Sequence, residues 1–86
     1  MSNIKVTTND YDIKMLEIET ENRPVFISLN KAKEILRTNL DADLIEPVNF
    51  KGRDLFSITK ENGGTFKVGE AKLNAVLDNA ENIGAL

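Results

Sequence analysis

The sequence predicts an α+β fold: two pseudo-repeated β-hairpin–helix units forming an antiparallel sheet with two helices packed on one face. Three observations predict it. Residues 15–28 and 55–68 carry one pattern at an offset of 40 positions, with Ile18/Ile58, Glu21/Glu61, Asn22/Asn62 and Phe26/Phe66 identical. Apolar and polar residues alternate through both segments, as in half-buried strands. Each segment then runs into a stretch with apolar residues at helical spacing. The pseudo-repeats span about 4–40 and 44–83, within a single domain covering residues 1–86. Any two hairpin–helix units share alternation, so the repeat itself rests on the four identities and their spacing.

In the first unit, Ile4-Lys5-Val6 alternates and reads as a short strand, and Thr7-Thr8-Asn9-Asp10 as a turn. From Ile13 to Thr20 the alternation is clear. Lys14, Leu16, Ile18 and Thr20 share one face, and Ile13, Met15, Glu17 and Glu19 the other. Glu21-Asn22-Arg23-Pro24 is a turn. Val25 to Leu29 is apolar on both faces, which predicts an inner strand. Ser28 or Asn30 can cap the helix that follows. Its stripe is Leu29, Ala32, Ile35, Leu36 and Leu40, and it ends near Asn39.

In the second unit, Leu44 to Phe50 reads as a strand interrupted or bordered by Pro47. Lys51-Gly52-Arg53-Asp54 is a turn. Leu55–Lys60 and Thr65–Val68 are strands joined by Glu61-Asn62-Gly63-Gly64, whose Asn-Gly pair is a hairpin signal. Gly69 caps the final helix, with Val68 and Leu73 placed for a hydrophobic staple. Leu73, Val76, Leu77 and Ala80 form its stripe, Ile83 extends it, and Gly84 stops it. In the helices the offset becomes 41, since Ile35-Leu36 match Val76-Leu77.

Composition narrows the function classes. Hydrophobic residues at 41% and charged residues at 29% describe an ordinary folded domain. There is no His and no Cys. Ser-His-Asp and Cys-His catalysis, thiolate chemistry and the usual zinc sites are therefore excluded. Met1-Ser2-Asn3-Ile4-Lys5 has no apolar segment of the signal-peptide kind, and no run approaches a membrane span. Together with the lack of cysteine, this predicts a cytoplasmic protein. The net charge is −3, and neither half of the chain is basic.

The leading expectation is a small acidic non-catalytic interaction module that modulates or inhibits a protein partner, of the kind phages and mobile elements encode. It is not expected to be an enzyme or to need a cofactor. Its candidate partner-binding residues are Tyr11, beside two acids in a turn, and Glu17, Glu19 and Glu21, which alternate along one strand face. The bland reading of those glutamates is the polar face of a half-buried sheet. The alternative is a small nucleic-acid-binding protein using Lys31, Lys33, Arg37, Lys51 and Arg53. Here the bland reading is a solvated helix face.

Phe50 beside Lys51 and Arg53 has the composition of a small stacking platform, whereas Phe26, Phe56 and Phe66 are expected in the core. The pairs Asp10/Asp12 and Asp41/Asp43 would suit a hard cation, and hence a metal-dependent enzyme, but lack the rest of a cation loop. They read as turns, and no metal site is expected. An apolar strand with few edge charges in the second unit predicts a homodimer.

Overall fold

The computed structural model describes residues 4–86. Met1–Asn3, on which part of the signal-peptide expectation rests, lie outside the described residues. The first unit holds strands β1 (Ile4–Thr8), β2 (Lys14–Ile18) and β3 (Val25–Ser28), antiparallel and with β2 in the middle. Alternation turns Leu16 and Ile18 of β2 inward, opposite Ile27 and Val25 of β3, and all four are buried. Asn9 closes the β1–β2 turn: its Oδ1 accepts from the Tyr11 and Ile13 amides at 2.8 and 3.1 Å.

Helix α1 (Leu29–Arg37) starts where the pattern predicts. Ser28 is its N-cap, and the Ser28 Oγ accepts from the Lys31 amide at 3.2 Å. Ala32 and Ile35 are buried on its inner stripe. Leu40 departs from the expected stripe. The helix closes at Thr38, whose buried hydroxyl donates to the Ile35 carbonyl at 2.6 Å. Asn39 and Leu40 then both take positive φ, and Leu40 swings out to 58% exposure.

The second unit repeats the plan with β4 (Ile45–Phe50), β5 (Arg53–Thr59) and β6 (Thr65–Gly69), again antiparallel around the middle strand. Pro47 lies within β4, which an edge strand tolerates because one row of its amides needs no ladder partner. The β4–β5 turn is only Lys51-Gly52, both at positive φ (52° and 79°), so Arg53 and Asp54 belong to β5. The Asn62-Gly63-Gly64 hairpin is present, with the Lys60 amide donating to the Gly64 carbonyl at 2.7 Å.

Gly69 caps α2 (Glu70–Asp78). The expected single last helix is broken. Asn79, at φ −118° and ψ 25°, ends α2, and its side-chain amide donates to the Ala75 carbonyl at 2.9 Å; α3 (Ala80–Gly84) follows. Ile83 still reaches the core and is fully buried.

The class and the two similar units are as expected, but the strands form two three-stranded sheets in place of one shared sheet. The reason lies in the helices. α1 packs on β5 of the second unit as well as on its own strands, and α2 packs on β3 of the first. Helix crossings thus join the units, and buried residues from both form one core cluster running from Leu16 and Ile18 to Val76 and Ile83. Closing that core requires no β3–β6 pairing. β3 is consequently an edge strand and not the inner strand its apolar run predicts.

Strand register also corrects the repeat. Ile18 pairs with Ile4 and Val25, while Ile58 pairs with Ile45 and Phe66. The middle strands thus match at an offset of 40, and the outer strands at 41. Val25 is the counterpart of Phe66, and Phe26 that of Lys67. The shared phenylalanine is a coincidence of sequence, and it hid the fact that Phe26 faces out. Phe26 is 51% exposed, against the expected core position, because it sits opposite Glu17 on the outer face of its sheet.

Candidate functional site

The acidic surface expected at Glu17, Glu19 and Glu21 does not form as a stripe. β2 ends at Ile18, so only Glu17 lies on a strand; Glu19 and Glu21 sit in the loop before β3. That loop folds on itself: the Thr20 hydroxyl donates to the Arg23 carbonyl at 2.6 Å and accepts from the Asn22 amide. Once the ladder stops, strand alternation no longer places those carboxylates on one face. Glu17 is half-buried, with Lys5 Nζ at 3.9 Å from its carboxylate. Tyr11 projects from the Asn9 turn and is 83% exposed.

The basic candidates are dispersed over several partners. Lys33 Nζ donates to the Leu86 carbonyl oxygen at 2.7 Å. Arg37 is a structural clamp, held by the Glu34 carboxylate at 2.9 Å and the Thr59 carbonyl at 3.0 Å. Lys51 Nζ lies 5.3 Å from the Phe50 ring centre, and Lys67 Nζ 5.7 Å from the same ring. Arg53 pairs across the hairpin with Phe50. Lys31 alone of the five enters a concave site, with its Nζ 5.5 Å from the Phe66 ring centre.

Among the described residues, no group of three or more His, Cys, Asp or Glu is placed to hold a metal ion. The Asp41/Asp43 segment is a closed turn, with Asp41 Oδ1 accepting from the Asp43 amide at 2.9 Å.

The concave site is an open groove of about 680 Å³ between the two units. One wall comes from the first sheet: Ile13, Met15, Phe26, Ile27 and Ser28. The start of α1 supplies Asn30, Lys31 and Glu34. The opposite wall is Phe66, Lys67 and Val68 of β6 with Lys60 and Asn62 of its hairpin, and Lys72 of α2 completes the lining. The groove is therefore bounded by the two strands, β3 and β6, that each pair on one side only among the described residues.

Four lysines and one glutamate line it. The Arg37 guanidinium bonded to Glu34 holds that carboxyl below the usual carboxylate range, against the opposing effect of its burial, and the Glu61 amide adds a second donor. Glu34 is thus an anion bonded chiefly to Arg37, with Lys60 also within its field. Phe26 offers an exposed ring, and Phe66 a half-buried one. The groove offers positive charge, apolar surface and two strand edges.

Sequence reasoning missed Phe26, Lys60, Lys67 and Lys72. The signal that could have found Phe26 is the offset of 41 already visible in the helices. Applied to the outer strands, it matches Phe26 with Lys67 and places it outside. The three lysines lie apart in sequence, and only the packing of α1 and α2 across the units brings them beside Lys31. No family model matches the chain, and neither a curated protein nor a solved structure matches it.

Proposed function

We propose that the chain is a non-catalytic interaction module that binds a protein partner in the groove between its two units, and so modulates or inhibits that partner. The observation that carries the reading is the groove itself: Lys31, Lys60 and Lys72 line one concave surface with the Phe26 and Phe66 rings, drawn from both units. Tyr11 and Glu17 would serve as neighbouring contacts, since Asn9, Ile13 and Met15 around them already line the groove. The lack of His and Cys supports the non-catalytic part of the reading, and the lack of Cys suits a cytoplasmic setting. Among the described residues no helix is long and apolar enough to cross a membrane.

The test is affinity capture from lysate after nuclease treatment, run in parallel with the wild-type chain and with a Lys31→Glu/Lys72→Glu variant. A protein retained by the wild type and lost by the variant is the expected result. Retention by both would remove the groove from the mechanism.

A second reading is favoured by one observation, the Phe50 ring with Lys51 and Lys67 close to it and Arg53 opposite in the hairpin. Rings beside cations suit single-stranded nucleic acid. It predicts capture that nuclease abolishes and that falls steeply with added salt.

A further inference from the structure

We infer that the groove takes an extended acidic segment of its partner, which adds as a strand between β3 and β6. The inference rests on the reading above that the groove binds a protein, and it specifies the chemistry and the binding mode.

Two observations carry it. The first is backbone. Among the described residues, β3 pairs only with β2 and β6 only with β5, so each turns a row of N–H and C=O groups away from its ladder. Both strands contribute to the groove. An extended chain there could satisfy backbone groups that otherwise bond water, and it would link the two three-stranded sheets. β6, with five residues, sets a length of about 17 Å, which matches five or six residues of an extended segment.

The second observation is charge. Lys31, Lys60 and Lys72 line the groove with a single acid, Glu34, which is bonded to Arg37 and the Glu61 amide, while Lys67 lines it with its Nζ 5.7 Å from the Phe50 ring centre. Alternate side chains of an added strand point to opposite faces. Carboxylates on one face would meet Lys31, whose Nζ lies 5.5 Å from the Phe66 ring centre, and apolar side chains on the other would meet Phe26 on the outer face of its sheet. A long polyanion fits less well. The chain carries −3 overall, and Asp10, Asp12 and Glu61 adjoin groove residues in sequence, so the positive field is short.

The probe is an end-blocked octapeptide alternating glutamate and valine, titrated into the full chain while amide hydrogen exchange is followed by NMR. Three comparisons accompany it: the same peptide N-methylated at alternate backbone nitrogens, a twelve-nucleotide oligothymidylate, and the Lys31→Glu/Lys72→Glu variant checked for folding by circular dichroism. A Lys31→Gln/Lys72→Gln variant replaces it if the reversal unfolds the chain. The expected result is slowed exchange within residues 25–28 and 65–69, with affinity about tenfold weaker for the N-methylated peptide and for the lysine variant.

Equal binding of the N-methylated peptide, no protection in either strand, or no binding at millimolar peptide would overturn strand addition. Tighter binding of the oligonucleotide would overturn the peptide as occupant. A partner captured from lysate in a lysine-dependent way would leave the broader groove reading standing even if strand addition failed. Loss of that lysine dependence would remove both.

Discussion

Arg37 donates from Nη2 to the Thr59 carbonyl oxygen at 3.0 Å, tying the last turn of the first unit's helix to the end of the second unit's middle strand. Its Nε holds Glu34 at 2.9 Å, and Glu34 accepts in turn from the Glu61 amide at 3.2 Å. Two side chains of one helix thus grip the β5–β6 hairpin by its backbone. Arg37→Gln should cost about 1 kcal/mol of stability, as expected for partly exposed charge-assisted bonds. Partner binding per folded molecule should be unchanged. Urea denaturation paired with a binding titration checks both, and a binding defect without a stability defect would return Arg37 to the contact surface.

The same clamp makes stability depend on pH. The bond from Arg37 and the Glu61 amide together lower the Glu34 pKa from its ordinary 4.5, despite the opposing effect of burial. The folded value lies below the unfolded one, so the contribution is fully present above about pH 4.5 and is lost as pH falls through the folded value. The stability difference between wild type and Glu34→Gln should therefore shrink as pH drops below that point. A difference constant from pH 7 to pH 3 would contradict the linkage.

Ile18 and Ile58 occupy matching central positions, and both are fully buried. Truncating either to alanine should cost about 2–5 kcal/mol, because each leaves a cavity in a core that both units share. Phe26→Ala removes a larger side chain yet should change stability by less than about 0.5 kcal/mol, since the ring is half exposed. Its effect should appear in binding to the groove. Denaturation midpoints of the three variants separate the core role from the surface role.

Gly52 lies at φ 79° in the two-residue β4–β5 turn, and a Cβ built there meets nothing within 4 Å. Backbone conformation alone therefore sets the effect of Gly52→Ala, a loss of about 1 kcal/mol. Thermal unfolding measures it. A neutral result would mean that the turn adopts another geometry in solution.

Self-association is the remaining expectation. β1 and β4 are outer strands of their sheets, and β4 exposes Glu46, Pro47, Asn49 and Phe50. Proline and charge on this edge discourage pairing, whereas Phe50 at 49% exposure favours an apolar contact. Light scattering across a hundredfold concentration range should show dimer forming through the Phe50 end of the hairpin, and Phe50→Glu should abolish it. A single chain mass at every concentration would refute the dimer.

The sequence by itself determined the α+β class, the order of strands and helices up to the break at Asn79, the Gly69 cap, the choice of Ser28 or Asn30 for the first cap, and the Asn62-Gly63 hairpin. These depend on alternation, capping and turn chemistry, which act between residues close in the chain. It also placed Leu16, Ile18, Ile35, Ile58 and Val76 on faces that prove buried. Tertiary structure decided the rest. Whether β3 is an inner or an edge strand depends on a partner that local pattern does not specify. The exposure of Phe26 depends on a one-residue difference between hairpins, which reverses the face of every residue beyond it. Arg37 became a clamp and Lys31 a groove residue because α1 crosses to the second unit, and Lys60, Lys67 and Lys72 joined Lys31 for the same reason. Contacts between residues far apart in sequence arise from how the helices close a shared core.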